Sequence, residues 1–469
     1  MSRSLTKDLT EGNPLKLVLS FAAPLLFGML FQQFYSFVDT AIVGRYLGAE
    51  KLAAVGATGS VNFLVIGLCM GFCSGFAIPI AQSFGAKNEH EVRRSVWHAA
   101  VLSAGLSLLF GLTATLLCKP LLRLMNTPEE ILDSSASYIR IIFAAIPCCV
   151  LYNMAGGILR SLGDSKTPVV FLVLASLVNI ILDLFLIIAC GMDVAGAAVA
   201  TAVSQLIAGL GCLVVIIKRF PILKLTREDR RLSLIRSRKM LGIGLPMGLQ
   251  FSITAIGSVM VQWSVNGLGV NAVAAVSAAG KLSMFFACVF DALASTMATF
   301  AGQNIGARRL DRVRQGLRAA SWVGMVYCVL ALGVVLVLGD NMLGLFIDKN
   351  ANAAVMEMGF RYLRINAAFY IPLLFVNILR LCIQGMGFTR VAMFAGLSEM
   401  LARTAVALLV VPAAGFTGAC FANPAAWVMA DLFLFPCCFR LMRSMEGRLM
   451  QGGTETSPKN GIVKLKRAA

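Results

Sequence analysis

AQSFGAKNEHEVRRSVWHAA (residues 81–100) and GQNIGARRLDRVRQGLRAA (302–320) are two copies of one pattern. Aligned on their Gly-Ala pairs, Gln82 falls on Gln303, Gly85 on Gly306, Val92 on Val313 and Arg93 on Arg314, a spacing of 221 residues. Upstream the same spacing pairs Leu47, Gly48, Ala53, Ala54 and Val55 with Leu268, Gly269, Ala274, Ala275 and Val276. Downstream it drifts to 224 and pairs Tyr138, Arg140, Asn153 and Gly163 with Tyr362, Arg364, Asn377 and Gly387. Pro24 answers Pro246, and Pro147 answers Pro372. Self-similarity on this scale marks an internal duplication of a large structural unit.

The duplicated unit is apolar. Of 469 residues, 58% are hydrophobic and 14% charged, against about 25% charged in a typical soluble domain, and the mean hydropathy is +0.81. A bilayer core about 30 Å thick takes roughly 20 helical residues to cross. Apolar runs of that length predict twelve crossings, near residues 15–43, 52–83, 95–118, 134–157, 168–190, 194–217, 240–266, 272–304, 317–338, 355–383, 391–411 and 416–439. The first lacks a small-residue cleavage pattern and reads as a retained helix. The expected fold is an all-α integral membrane protein of twelve transmembrane helices in two pseudo-symmetric six-helix lobes. Residues 1–14 form an N-terminal segment, 15–217 the first lobe, 218–239 a basic linker, 240–440 the second lobe and 441–469 a basic tail. Six crossings per copy return the second to the same side, so the lobes are parallel about an axis along the membrane normal.

The net charge of +18 follows the membrane and does not point to nucleic acid. Residues 218–239 carry nine Lys or Arg, and GARRLDRVRQGLR (306–318) carries five. The opposite set of loops holds Arg45, Lys51, Lys119, Arg123 and Lys349. The positive-inside rule then places both termini in the cytoplasm, with the tail IVKLKRAA beside anionic head groups. The thirteen Cys fall mostly inside apolar spans, as in CMGFC (69–73), and read as small apolar filler. A soft-metal path over Cys69 and Cys73 is the other use, but no acid or His flanks them. Neither His90 nor His98 reads as a ligand.

Polar residues at membrane depth are the candidate site. Asp39 ends an otherwise apolar run, where a carboxylate is unfavourable by roughly 2.5–3.5 kcal/mol. Asp39 falls on Met260 and Asp183 on Ala407, so the repeat does not need these acids for folding. Gln32, Tyr35 and Asp39 form one helical stripe, Asn179 and Asp183 share a face, Thr201 precedes Gln205 by about a turn, and Asn153 adds an amide. If the stripes meet, two carboxylates, two amides and a hydroxyl line one pocket. That set suits either Na⁺, through oxygen ligands, or a proton shared by carboxylates that burial and like charge keep from ionising together. Inter-helical hydrogen bonding is the alternative use of Asn153 and Thr201.

Glu399 and Arg403, at i and i+4, read as an ion pair on one helix. Lys281, Asp291 and Asp431 lie deep in the second half, either lining a wet cavity or pairing with one another. Together with Gln32, Gln205 and Gln250, the residues Lys281, Asp291, Glu399 and Arg403 are candidates for a substrate cavity or gate. There is no GxxxxGK[ST] phosphate loop and no catalytic His, Cys or Ser constellation. An enzyme is not indicated, no organic cofactor is expected, and energy would come from an ion gradient.

The motifs PLLFGMLFQQFYSFVDTAIVGRYLG (24–48), GDSKTP (163–168), VNIILD (178–183), GAAVATAVSQ (196–205), GLPMGLQ (244–250) and the paired GAK and GAR loops resemble the multidrug and toxic compound extrusion (MATE) transporters, especially their DinF-like branch. The resemblance spans about residues 10–440. It implies antiport, with H⁺ or Na⁺ entering while an organic, often cationic and amphipathic, compound leaves, in a multi-pass protein of the bacterial cytoplasmic membrane. By the same resemblance Asp39, Asn179, Asp183 and Thr201, with Asn153 and Tyr35 nearby, form the cation site. Other branches use acids in the seventh and tenth helices, and LPMGLQFSITAIG and INAAFYIPLLF contain none. Competing readings are a lipid-linked precursor flippase, for which intramembrane Lys281 speaks, and a non-transporting membrane scaffold. The expected partners are a small organic substrate and membrane lipids, and a monomer suffices.

Overall fold

The computed structural model describes residues 7–125, 127–345 and 353–451, and every regular element among them is helical. In order these are α1 (Pro14–Ala57), α2 (Gly59–Gly85), α3 (Glu89–Leu124), α4 (Glu129–Ala144), α5 (Ile146–Ser161), α6 (Lys166–Leu184), α7 (Asp193–Arg219), α8 (Leu234–Asn266), α9 (Val270–Gly306), α10 (Leu310–Leu343), α11 (Ala353–Ala368), α12 (Tyr370–Gly385), α13 (Thr389–Ala405), α14 (Val411–Cys420) and α15 (Ala422–Gln451). Phe185–Ala189 and Val406–Val410 are π-helical turns that follow α6 and α13. With no water at bilayer depth, each segment must satisfy its own backbone, which helices do. Ten helical stretches are each long and apolar enough to cross a membrane, and two bent pairs raise the number to twelve. These pairs are α4 with α5, bent by 44°, and α11 with α12, bent by 52°. Each bend lies just before a proline, Pro147 or Pro372, whose ring cannot fit against the carbonyl four residues back.

The duplication is written in the backbone. Apart from Gly12 (φ 93°), the left-handed residues among those described come in pairs at the repeat spacing: Gly48 and Gly269 (φ 85° and 96°), Lys87 and Arg308 (54° and 58°), Gly163 and Gly387 (89° and 99°), Gly191 and Gly415 (64° and 57°). Gly48 breaks α1 at the end of the first crossing, as Gly269 separates α8 from α9. Gly415 lies where the twelfth crossing was expected to begin, and Gly418 folds back against the Val410 carbonyl.

Some boundaries differ from the sequence reading. The connection between the halves narrows to Phe220–Ser233, because α7 keeps Lys218 and Arg219 in its last turn and α8 begins at Leu234. Cations at a helix C-terminus complement its dipole, so the helix continues through them. Likewise α15 runs past residue 440 to Gln451. Lys349 and the IVKLKRAA tail lie outside the described residues.

One core gathers Phe72, Phe76, Phe143, Ile146 and Leu159 of the first half. A second gathers Phe290, Phe300, Leu363 and Leu374 of the second half, together with Val18 and Phe21 of α1. Further along, Ile42 and Val43 of α1 pack with Ile187 and Ala197 of the first half. Helix α1 thus starts against one half and ends in the other.

The halves meet chiefly through α2. A Cβ on Gly71 or Gly75 would lie 2.5 Å from the Cα of Gly248 or Gly244 of α8, a small-residue contact of the kind that lets membrane helices touch backbone to backbone. At the end bearing the basic loops the contact becomes symmetric. Gln82 Nε2 donates to the Gly385 carbonyl (3.0 Å) and Gln303 Nε2 to the Ser161 carbonyl (2.9 Å), each reaching into the opposite half. A Cβ on Gly85 or Gly306 would lie 1.9 Å from the carbonyl oxygen of Gln303 or Gln82, so only glycine fits at either position. Residues 7–12 pass beneath this closure. Leu9 and Thr10 are buried, Lys7 N donates to the Leu162 carbonyl, Leu9 N to Gln303 Oε1 (2.9 Å), and Arg312 Nη2 to the Gly12 carbonyl (2.9 Å).

Candidate cation site and central cavity

Asp39 of α1 and Asp183 in the last turn of α6 face one another, and the phenols of Tyr35 and Tyr138 stand beside both. Asp183 is fully buried and Asn179, one turn before it, is 2% exposed. Both oxygens of Asp183, both polar side-chain atoms of Asn179 and Oδ1 of Asp39 have no hydrogen-bond partner. No Lys or Arg pairs with either acid among the described residues. Orphaned buried polar atoms are costly and therefore call for an explanation. A shared proton or a small hard cation would satisfy them.

A cleft of about 10 Å³ lies one helical turn away, against Tyr35 and Asn179, close to the least space that holds one water. It is lined by Tyr35, Ser176, Asn179, Thr201, Ser204 and Gln205, and Gln205 Oε1 is also unpartnered. The structure therefore brings Asp39, Asp183, Asn179, Thr201, Tyr35 and Gln205 into one neighbourhood. Asn153 is not in it: it lines the larger cavity and donates to the Cys149 carbonyl on its own helix (2.9 Å). Among the described residues no three His, Cys, Asp or Glu side chains gather as for a metal. The donor set is two carboxylates completed by neutral oxygens, a set without the soft ligands that select transition metals.

The cleft opens onto a cavity of about 690 Å³ between the halves through Tyr35, Thr201 and Gln205, which line both. Gln32 and Gln250 line it too, the latter accepting from Gln384 Nε2 at 2.6 Å. Three charged residues reach its wall: Arg160, Asp291 and Arg380. Glu399 and Arg403 pair as expected (3.6 Å), but Arg380 of the preceding helix is the closer partner of Glu399, at 2.7 Å. Of the two uses open to Lys281, Asp291 and Asp431, the first holds for Asp291 alone, and the three do not pair with one another among the described residues. Asp291 lines the cavity, Asp431 is buried beside Glu399 and Arg380, and Lys281 is exposed 6.0 Å from the Phe37 ring, outside the cavity lining. Pairing needs facing helices, and these three residues lie on separate faces of α9 and α15.

Tyr138, Arg160 and Arg380 escaped the sequence reading. For Tyr138 a signal existed in its repeat pairing with Tyr362, a tyrosine that the structure buries and whose hydroxyl accepts from Asn423. His98 is structural: its Nδ1 meets the Arg94 carbonyl and its Nε2 accepts from Ser233 N, pinning α3 to the start of α8.

The MatE family profile matches residues 24–185 and 246–409, once in each half. The chain is 30% identical over 336 residues to the probable multidrug resistance protein YoeA of Bacillus subtilis, covering 70% of this chain and 73% of that protein. It is 27% identical over 307 residues to the FAD transporter of Shewanella oneidensis, covering 64% and 68%. A crystal structure of MATE in the bent conformation superposes with a TM-score of 0.87 at 23% identity, covering 96% of this chain and all of that one. Twelve helical crossings, a duplicated backbone and a profile that matches both copies agree: the chain belongs to the MatE family of multi-pass membrane transporters.

Proposed function

We propose that the protein is a cation-coupled antiporter, in which H⁺ or Na⁺ binds at Asp39 and Asp183 and an organic amphipathic compound leaves through the central cavity by alternating access. The observation that carries this reading is the facing pair of carboxylates without a donor, Asp183 fully buried and Asp39 half-buried, near a cleft that opens into a cavity between the halves. The positive-inside rule puts the basic face and both termini in the cytoplasm. The closed basic face then corresponds to the outward-facing state. Cation binding neutralises Asp39, changes the packing of α1 around its internal Pro24 and lowers affinity for the compound. Linkage requires the compound to weaken cation binding by the same factor.

Similarity to proteins named for multidrug resistance and for FAD transport favours organic compounds of some size as cargo. A bacterial cytoplasmic membrane, lipid contacts and a monomer fit the same reading. The flippase alternative calls for helices beyond twelve, and the described residues give at most twelve crossings. The test is efflux of fluorescent organic ions from reconstituted vesicles with Na⁺ and pH gradients imposed separately. Export driven by one gradient and lost in Asp39→Asn supports the reading and identifies the ion. Normal coupled export in both Asp39→Asn and Asp183→Asn would rule it out.

A further inference from the structure

Arg160 is a cation in the cavity wall without an anion. It occupies the penultimate position of α5, beside Ser161, whose carbonyl accepts the Gln303 bond that closes the basic face. Among the described residues its guanidinium has no hydrogen bond and no ion pair, and the titratable groups facing it are the phenol of Tyr152 and the thiols of Cys73 and Cys212. The second cavity arginine differs, since Arg380 donates to both Glu399 (2.7 Å) and Asn377 (2.9 Å). Asp291, the one carboxylate in the lining, faces Arg380 across the cavity from α5.

The sequence makes room for the Arg160 side chain. A Cβ on Gly156 would lie 3.2 Å from Nη1, and one on Gly157 about 4.0 Å from Nη2, so the guanidinium folds back along its own helix over two glycines. A guanidinium held at the floor of a cavity, with its donors unspent, is a planar fork matched to carboxylate and phosphate oxygens. Tyr152 stands beside it, and Tyr35, Tyr138 and Phe251 line the same cavity elsewhere along its length, surfaces suited to an aromatic body.

We infer that the cavity selects amphipathic compounds bearing an anionic group, a carboxylate or phosphate, which docks on Arg160. This rests on the transport reading above and narrows its substrate class, away from the simple organic cations that the family resemblance implies. Docking at the floor also neutralises a charge next to the inter-half closure, placing cargo recognition where the basic face must open.

The test separates binding from transport. Fluorescein, an anionic aromatic dye, and rhodamine 6G, a cationic relative, are titrated by fluorescence anisotropy against the purified full chain. The expected result is tighter binding of fluorescein, weakened at least tenfold in Arg160→Gln and partly restored in Arg160→Lys, with rhodamine 6G affected less than twofold. Glu130→Gln, an exposed carboxylate outside the cavity lining, should leave fluorescein binding undiminished. Phenyl phosphate and benzoate as competitors show which anionic group is preferred. Should Arg160→Gln not fold, Gly156→Ala, which crowds Nη1, serves as the second variant and should weaken fluorescein selectively. Equal binding of both dyes, or fluorescein binding unchanged in a folded variant, overturns the inference. Intact Arg160-dependent binding without gradient-driven export from vesicles would instead reject the antiport reading alone.

Discussion

Asp39 and Asp183 are destabilising where they stand. Each forgoes hydration in a region where an acid is unfavourable by about 2.5–3.5 kcal/mol, and neither recovers it from a donor. Asn at either position keeps the shape and removes the charge. Asp183→Asn should therefore raise the thermal stability of the purified protein by about 1–3 kcal/mol while lowering gradient-driven efflux at least tenfold. Scanning fluorimetry and vesicle efflux on the same preparation read both. A variant that loses stability together with activity would make Asp183 structural. The acids were legible in the sequence because charge inside an apolar run is conspicuous and the repeat supplied a control without it. Arg160 was not, because an arginine near the end of a crossing reads as one more basic loop residue. Only the backbone shows that Gly156 and Gly157 let it turn inward. Asn153 is the reverse case: an amide at that depth could serve the site or bond to a neighbour, and only the structure shows its Nδ2 donating to the preceding turn while it lines the cavity.

Helices explain how such residues are held. The contact of α2 with α8 rests on Gly71 facing Gly248 and Gly75 facing Gly244, where a side chain would meet backbone that cannot step aside. Gly71→Val should separate the pair and destabilise the protein by about 1–3 kcal/mol. Gly105→Val on α3, with nothing within 4 Å of its Cβ position, should be neutral in the same melting experiment. The connection between the halves depends on Asp229, which accepts from Thr226 N and Oγ1 and from Arg93 Nε. Burial would raise its carboxyl, but these donors hold it below the ordinary value, about 3.9. A depressed folded value means that its stabilisation is complete above the unfolded value and is lost as pH falls through the folded one. With rates divided by those of an unstructured reference peptide at each pH, trypsin should accordingly cleave at Arg227, Arg230 and Arg231 no faster at about pH 5 than at pH 7 in the native chain. Asp229→Asn should be cut faster at both. At this scale the crossings could be read from hydropathy, yet the bends at Ala145 and Phe369 could not. Pro147 and Pro372 marked them, but a hydropathy run carries no direction.

The whole molecule turns on the stretch that revealed the repeat. Gln82 and Gln303 occupy equivalent places, and each donates across the midline to the end of the other half's fourth crossing, while Gly85 and Gly306 allow the backbones to touch. Duplication thus yields a closure that is symmetric by construction. The strap of residues 7–12 has a counterpart at the repeat spacing: it bonds to Gln303 and Arg312 of the second half, while residues 228–233 bond to Arg93 and His98 of the first. Each net hydrogen bond contributes about 0.5–1.5 kcal/mol, and Gln82→Ala with Gln303→Ala removes three, the strap's Leu9 N bond to Gln303 Oε1 included, so the pair should favour the open basic face by about 1.5–4.5 kcal/mol, a population shift of roughly ten- to two-thousand-fold. Spin labels at Ala86 and Ala307, at the basic ends of α2 and α9, read it as growth of a longer-distance population. Each single variant should give part of the shift. Leu9→Asp, which drives a carboxylate into a fully buried position, should move the distribution the same way with both glutamines intact. If the double variant leaves the distances unchanged while Leu9→Asp lengthens them, the strap alone holds the face shut and the repeated glutamines only cap helix ends. If both lengthen them, closure is shared, and opening inward requires the strap to leave its place between the halves.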